Sequence, residues 1–490
     1  MPTSCPWAWF RERLGIGQAI RQEGHRPVSD EVSSRPVVVI GLGVTGEAVV
    51  RYLLAGGRPV VVVDDATDEA VVASAAQLDV PLVSAPDRGH LSKVLAGSSG
   101  AVVSPGVPPS HPVFSLCDSL GLAVTTEIEL AGTELASLEA PPTVVAVTGT
   151  NGKTTVVTMI VRMLAEAGVT AVAAGNIGVP LLDALATVRG ARESGKEPIR
   201  AVVVETSSFQ LALTRTFRPD IAVWLNLSED HLDVHRSVEE YVAAKARIWA
   251  NQGEGDLAIV NANDPTVMSA GYSAPSRVIS FGFEKGDYRI EDGALRSPGG
   301  TVIVPIAEMA RSFPHDLVNG LAASAAALEA GANSDACSRV LREFSGLRHR
   351  IELVGEKLGV RYFDDSKATT PASVEAALAG FTSVVLIAGG RNKGLDLSPL
   401  ASQAERCRGV VAIGESAGEV EEAFRSVTLD CQVVRAPSME EAVRRATEMA
   451  RPGDAVLLSP GCASFDWYRS YGERGDDYAR AVRRQIKEGR

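Results

Sequence analysis

The run Val144-Val145-Ala146-Val147-Thr148-Gly149-Thr150-Asn151-Gly152-Lys153-Thr154-Thr155 decides how this chain is read. Its apolar start is a buried strand, and the small residues after it form a loop that feeds a helix. Such a loop lets backbone N–H groups curl around a phosphate, and the helix adds its positive N-terminal end. Lys153 is placed to reach the outer phosphates of ATP, and Thr154 or Thr155 to offer a hydroxyl to Mg2+. One position departs from the general pattern. Where a glycine usually stands ahead of the Gly-Lys pair, the chain has Val147. The bland alternative is a tight turn that happens to carry a lysine, but Gly-Lys-Thr-Thr directly after a buried strand favours the phosphate loop.

On both sides of this run the chain keeps one rhythm: a short Val/Ile run, a Gly-rich turn, then an Ala/Leu/Arg-rich helical stretch. That alternation predicts parallel sheets covered by helices. With 490 residues there is too much chain for one core. The reading is α/β in three domains, each on a mostly parallel sheet. Residues 35–131 are Rossmann-like, residues 132–346 resemble a P-loop ATPase, and residues 347–490 are again Rossmann-like. Residues 1–34 show little periodicity and no apolar signal core, and predict a poorly ordered extension.

The charge of −12 offers no basic face for nucleic acid. No apolar run is long enough for a membrane span. The six cysteines make no Cys-x-x-Cys pair, which argues against a disulfide framework or a cysteine zinc site and for a reducing, cytoplasmic setting.

The first block carries Gly41-Leu42-Gly43-Val44-Thr45-Gly46 after the strand Val37 to Ile40, with Asp64 closing the next strand. Alone this spacing reads as a nicotinamide or flavin site, as tight helix packing, or as a crevice for another nucleotide diphosphate. Ser104-Pro105-Gly106 follows a further strand and is either a plain turn or a second lining of that crevice.

In the second block Glu205 and His231 stand at or just beyond strand ends, where open α/β sheets bind ligands. An oxygen and an imidazole there suit a divalent cation clamping a triphosphate, against the plain reading of a turn cap and an ion pair. Lys245 lies in the helical stretch Val238 to Trp249, and by itself reads as a solvated helix lysine. Asn263-Asp264-Pro265 is an Asx turn or a contact to a base or ribose. The third block places three loops of small polar residues at strand ends: Asp364 to Pro371, Gly389 to Gly394 and Ser459 to Asp466. Lys367 and Lys393 in them are candidates for holding carboxylates.

These motifs in this order resemble the Mur ligases of peptidoglycan synthesis, from about Pro36 to the C-terminus. That family's phosphate loop matches Gly149 to Thr155, which accounts for Val147. The Gly41–Gly46 motif, Ser207-Ser208-Phe209-Gln210-Leu211 and Asp365-Ser366-Lys367-Ala368-Thr369 look like the family's D-glutamate-adding members. Folylpolyglutamate synthases share the phosphate loop but start near it. The resemblance implies an ATP-dependent ligase of cell-wall biogenesis, joining D-glutamate to UDP-N-acetylmuramoyl-L-alanine through an acyl phosphate.

The resemblance also implies roles. Thr45, Asp64, Ser104 and Gly106 lie near the uridine diphosphate, and Asn176 and Ser207 border the muramoyl-alanine. Gly149, Thr150, Asn151, Gly152, Lys153, Thr154 and Thr155 hold ATP, with Asn319, Arg350 and Asp365. Thr154, Glu205 and His231 bind Mg2+. Lys245 matches a lysine that the family carbamylates, which makes it an anionic ligand of a second Mg2+ rather than a solvated residue. Thr369, Lys393, Ser464 and Tyr471 hold D-glutamate. The chain departs from the family at Asp316, where His-Asn becomes His315-Asp316, at Thr370, where Asn is usual, and at Tyr471, where some relatives carry a phenyl ring. The implied enzyme is a cytoplasmic monomer.

Overall fold

Three sheets are built from the Val/Ile runs, and a computed structural model describes them through residues 35–66, 68–176, 178–228, 237–427 and 431–488. The extension expected over residues 1–34 lies outside the described residues. The first sheet contains β1 (Val37–Ile40), β2 (Val60–Asp64), β3 (Leu82–Ser84), β4 (Gly100–Val103) and β5 (Val124–Thr125). All are parallel, in the order β3-β2-β1-β4-β5. Strand order reverses between β1 and β4, so a crevice opens at their carboxyl ends. Gly41 follows β1 and Ser104 follows β4 there.

The second sheet contains β6 (Thr143–Thr148), β7 (Ala171–Gly175), β8 (Ala201–Glu205), β9 (Ile221–Trp224), β10 (Leu257–Asn261), β11 (Arg277–Gly282), β12 (Tyr288–Glu291), β13 (Ala294–Arg296) and β14 (Val302–Pro305). Their order is β14-β13-β12-β11-β10-β9-β6-β8-β7. The strand ahead of the phosphate loop, β6, is flanked by β8 and β9, both parallel to it. Its residues from Val144 to Thr148 are all buried, as a strand covered on both faces requires. The antiparallel strands β13 and β14 sit at the far edge.

The third sheet has β15 (Glu352–Lys357), β16 (Val360–Asp364), β17 (Val384–Gly389), β18 (Cys407–Ile413), β19 (Gln432–Ala436) and β20 (Ala455–Leu458). The order is β15-β16-β20-β17-β18-β19, with only β15 antiparallel. Because β16, β20 and β17 are neighbours, the three polar loops named from the sequence emerge side by side.

The first two domains are joined by the helix Glu127–Ser137, which runs through the division expected at 131/132. Its buried Glu129 accepts from the N–H groups of Arg215, Thr216 and Phe217 and from the Thr216 hydroxyl, at 2.6–3.1 Å. Four donors around one carboxylate satisfy its burial and anchor the helix to the central domain. Among the described residues, all five cysteines are free thiols and no helix is long and apolar enough to cross a membrane.

Candidate active site

A glycine just before the helix sets the path of the phosphate loop. Gly152 has φ +84°, and a Cβ there would lie 2.6 Å from Asn319 Oδ1. Any side chain would therefore be strained and would push Asn319 away. Asn226, just beyond β9, laces the loop: its Oδ1 accepts from the N–H groups of Thr150 (3.0 Å) and Asn151 (2.9 Å), and its Nδ2 donates to Asn151 O (3.1 Å). Lys153 opens the helix Lys153–Glu166, and its Nζ donates to Gly149 O at 2.8 Å and Thr150 O at 2.9 Å. The ammonium thus lies against the loop beside the helix N-terminus, where positive charge and N–H dipoles together suit an anion.

The Thr154 hydroxyl donates to Glu205 Oε2 at 2.9 Å, and Glu205 is 2% exposed at the end of β8. Asn176 Nδ2 reaches Glu205 Oε1 at 3.5 Å. A hydroxyl and a carboxylate beside a phosphate loop form a hard-oxygen donor set that fits Mg2+. His231, the other expected ligand, lies outside the described residues. Lys245 is not solvated. It is 2% exposed on the helix Val238–Ala246, donates to Gly149 O at 2.9 Å and sits 4.6 Å from the Tyr241 ring centroid. The Tyr241 hydroxyl lies 3.2 Å from Thr150 Oγ1, so this helix meets the phosphate loop through buried polar contacts.

The third domain closes over the loop. Arg350 donates to Thr154 Oγ1 at 3.0 Å, and Ser373 Oγ donates to Asn151 Oδ1 at 3.1 Å. Between the two domains lies a cavity of about 470 Å3, lined by Gly152, Thr155, Asn319, Arg350 and Asp365 among others. Asp365 accepts from Ser459 Oγ (2.8 Å) and from the N–H of Ile351 (3.3 Å). Burial pushes its carboxyl up to about 7, against the pull of Ser459 and Arg350. A second cavity, about 220 Å3, brings Lys153, Thr154, Asn176 and Glu205 together with Thr369 and Lys393 from the third domain.

The crevice of the first domain is a cavity of about 390 Å3 lined by Thr45, Asp64, Ser104, Gly106 and Asn176. The three glycines of its motif differ in what they meet. Gly46 packs so closely that a Cβ would lie 2.0 Å from Gly41 O, whereas Gly43 faces open space. One therefore serves helix packing and the other leaves backbone exposed to a ligand. Asp64 turns its carboxylate to the N–H groups of Leu42 (2.6 Å) and Ala66 (2.8 Å). Asn176 lines this crevice and the smaller interdomain cavity, and so marks where the two meet.

Three expected substrate contacts line none of these cavities. Ser207 caps the short helix Ser208–Ala212 in a reciprocal box with Gln210 and lines none of these cavities. Ser464 is 2% exposed and Tyr471 is exposed, and neither lines the cavity of Thr369 and Lys393. The Tyr471 ring instead lies 3.9 Å from Lys367 Nζ. Asn226, Tyr241 and Ser373 had no role in the sequence reading. Only Asn226, just beyond a strand end, carried a positional signal.

Profiles described as Mur ligase MurD-like N-terminal domain, Mur ligase middle domain, and Mur ligase glutamate ligase domain match residues 35–126, 147–327 and 349–462. A relative from Pelobacter propionicus, a UDP-N-acetylmuramoylalanine--D-glutamate ligase, is 39% identical across 92% of this chain and 99% of its own length. This chain belongs to the Mur ligase family. Relatives with the same name from Desulfosudis oleivorans and Frankia casuarinae are 41% and 40% identical, over 94% and 91% of this chain and 98% and 94% of their own. The Mur ligase fold is matched by a Thermotoga maritima UDP-N-acetylmuramate-alanine ligase, with a TM-score of 0.57 at 17% identity over 92% of this chain and all of that one.

Proposed function

We propose that the chain is the Mur ligase that adds D-glutamate to UDP-N-acetylmuramoyl-L-alanine, with ATP and Mg2+, on the way to peptidoglycan. One observation carries the ATP assignment: the Thr154 hydroxyl is met by both Glu205 and Arg350. Phosphate loop, metal-type carboxylate and third-domain cation converge on one atom. The substrate assignment is supported by the relatives' shared name and by the glutamate ligase domain match.

In this reading the alanyl carboxylate attacks the γ-phosphate, giving an acyl phosphate and ADP. The amine of D-glutamate then attacks that carbonyl, and the tetrahedral intermediate collapses to an amide and phosphate. Lys153 and Arg350 stabilise the charge growing on the phosphoryl oxygens. Mg2+, when bound by Thr154, Glu205 and His231, neutralises further charge on the phosphates. Asn319 and Asp365 orient the nucleoside. Thr45, Asp64, Ser104 and Gly106 hold the uridine diphosphate in the Gly41–Gly46 crevice. Asn176, which lines both cavities, borders the muramoyl-alanine together with Ser207. Thr369 and Lys393 take the incoming amino acid, with Ser464 and Tyr471 as outer contacts. Lys245, once carbamylated, would offer carboxylate oxygens to a second Mg2+ from its buried place beside the phosphate loop.

The test is phosphate release with ATP, Mg2+ and UDP-N-acetylmuramoyl-L-alanine, comparing D-glutamate with L-alanine, L-lysine and diaminopimelate. Release with D-glutamate alone is expected. Equal release with another amino acid would overturn the specificity, and no release with any would overturn the ligase reading.

A further inference from the structure

The segment joining the second and third domains is bent into unusual backbone. Gly346 has φ +101°, His349 +61° and Ile351 +49°. For a β-branched residue such as Ile351 this conformation is a true outlier, and it persists only where its surroundings enforce it. Arg311 supplies that enforcement from the central domain. Its Nη1 donates to the backbone oxygens of Ile351 (2.9 Å), Arg350 (3.1 Å) and Ser345 (3.4 Å). Its Nε donates to Asp316 Oδ2 at 3.1 Å, with the Arg311 and Asp316 side chains 11% and 5% exposed. The guanidinium also lies 5.4 Å from the Phe313 ring centroid. Gly346 makes room for it, since a Cβ there would lie 2.4 Å from Nη1.

We propose that Arg311, held by Asp316, is a positioning residue that clasps the 345–351 linker and thereby sets the third domain over the phosphate loop. The residue it holds by the carbonyl, Arg350, is the one whose guanidinium reaches Thr154. Asp365 holds the Ile351 N–H from within the third domain, but Arg311 alone ties its carbonyl to the central domain, so loss of the clasp frees Arg350 and the third sheet to swing. Asp316 is the position where this chain carries an acid in place of the family's Asn, and the acid gives Arg311 a charged partner that fixes its fork. A lysine cannot substitute, because its single nitrogen cannot stand both where Nε faces Asp316 and where Nη1 faces the linker carbonyls.

The inference rests on the ligase reading for its kinetic consequence but not for its structural one. The full chain is compared with Arg311→Ala and Arg311→Lys by small-angle X-ray scattering, thermal melting, binding of UDP-N-acetylmuramoyl-L-alanine, and steady-state kinetics. Both variants should scatter as a more open particle. Both should lose kcat by about tenfold or more while the affinity for the UDP substrate stays within about twofold. Rescue of compactness and kcat by lysine would overturn the clasp in favour of simple charge. So would wild-type scattering and kcat in Arg311→Ala, or a loss of UDP-substrate binding in step with melting in both variants. If the wild type shows no ligase activity, the function fails while the scattering comparison still judges the clasp.

Discussion

The Arg350 guanidinium donates to the Thr154 hydroxyl at 3.0 Å across 196 residues of chain. That bond joins the third domain to the phosphate loop at the atom that also meets Glu205. Arg350→Ala should lower kcat by about two to three orders of magnitude, the usual effect of removing a donor aimed at developing charge. Substrate binding to the first domain should be unchanged. Coupled phosphate-release kinetics read the first, and calorimetry with the UDP substrate the second. A kcat within threefold or so of wild type would remove Arg350 from the chemistry.

Lys153 holds two loop carbonyls through its ammonium at the start of a helix. Lys153→Ala should abolish turnover and weaken ATP binding while the melting temperature changes little, because the loop remains laced by Asn226. Near-normal ATP-dependent activity would sink the ATP assignment.

Lys245 touches the phosphate loop from a buried position. If it works as a carbamate, Lys245→Ala should be nearly inactive and partly restored by small carboxylates such as formate or acetate. A carbamate carbon should also be visible by NMR in protein equilibrated with labelled bicarbonate. Full activity of the variant without additives would count against the assignment, as would the absence of that signal.

Glu127 is 1% exposed at the domain junction, and its Oε1 accepts from Leu182 N at 2.6 Å. Burial pushes its carboxyl from 4.5 to about 7, with Leu182 N–H pulling the other way. Between these values the folded chain keeps a proton that the unfolded chain has lost, so this group's contribution to stability falls as pH rises from 4.5 to about 7. The shift corresponds to at most about 3 kcal/mol. Glu127→Gln keeps an oxygen for Leu182 N–H and removes the titration. It should melt higher than wild type at pH 8 and lose that advantage near pH 5. Parallel melting curves for the two proteins across this range would refute the account.

Much of the site was legible along the chain, because short-range rules set it. Strand runs such as Val144 to Val147 and the helix Met439–Met449 follow from local periodicity and propensity. The loops after them were recognisable because Gly and Lys at fixed offsets from a strand end carry a mechanism. What a local pattern leaves open is which strand ends adjoin and where a long side chain finds its partner. Lys245 by itself read as solvated because a helix lysine usually is, while its partner Gly149 lies 96 residues away. Ser207 stands as a substrate contact by resemblance alone, and that its hydroxyl closes a helix cap was visible only in the structure.

The sequence by itself determined that this chain folds as three α/β units with a phosphate loop in the middle one, since backbone hydrogen bonding and side-chain alternation act over a few residues. The tertiary structure alone decided that β16, β20 and β17 lie side by side, that Asn176 stands between two cavities, and that Arg311 reaches the linker carrying Arg350. Each of these depends on the packing of segments far apart in the chain. That packing is settled by the joint burial of whole sheets and helices, and no single stretch of residues encodes it.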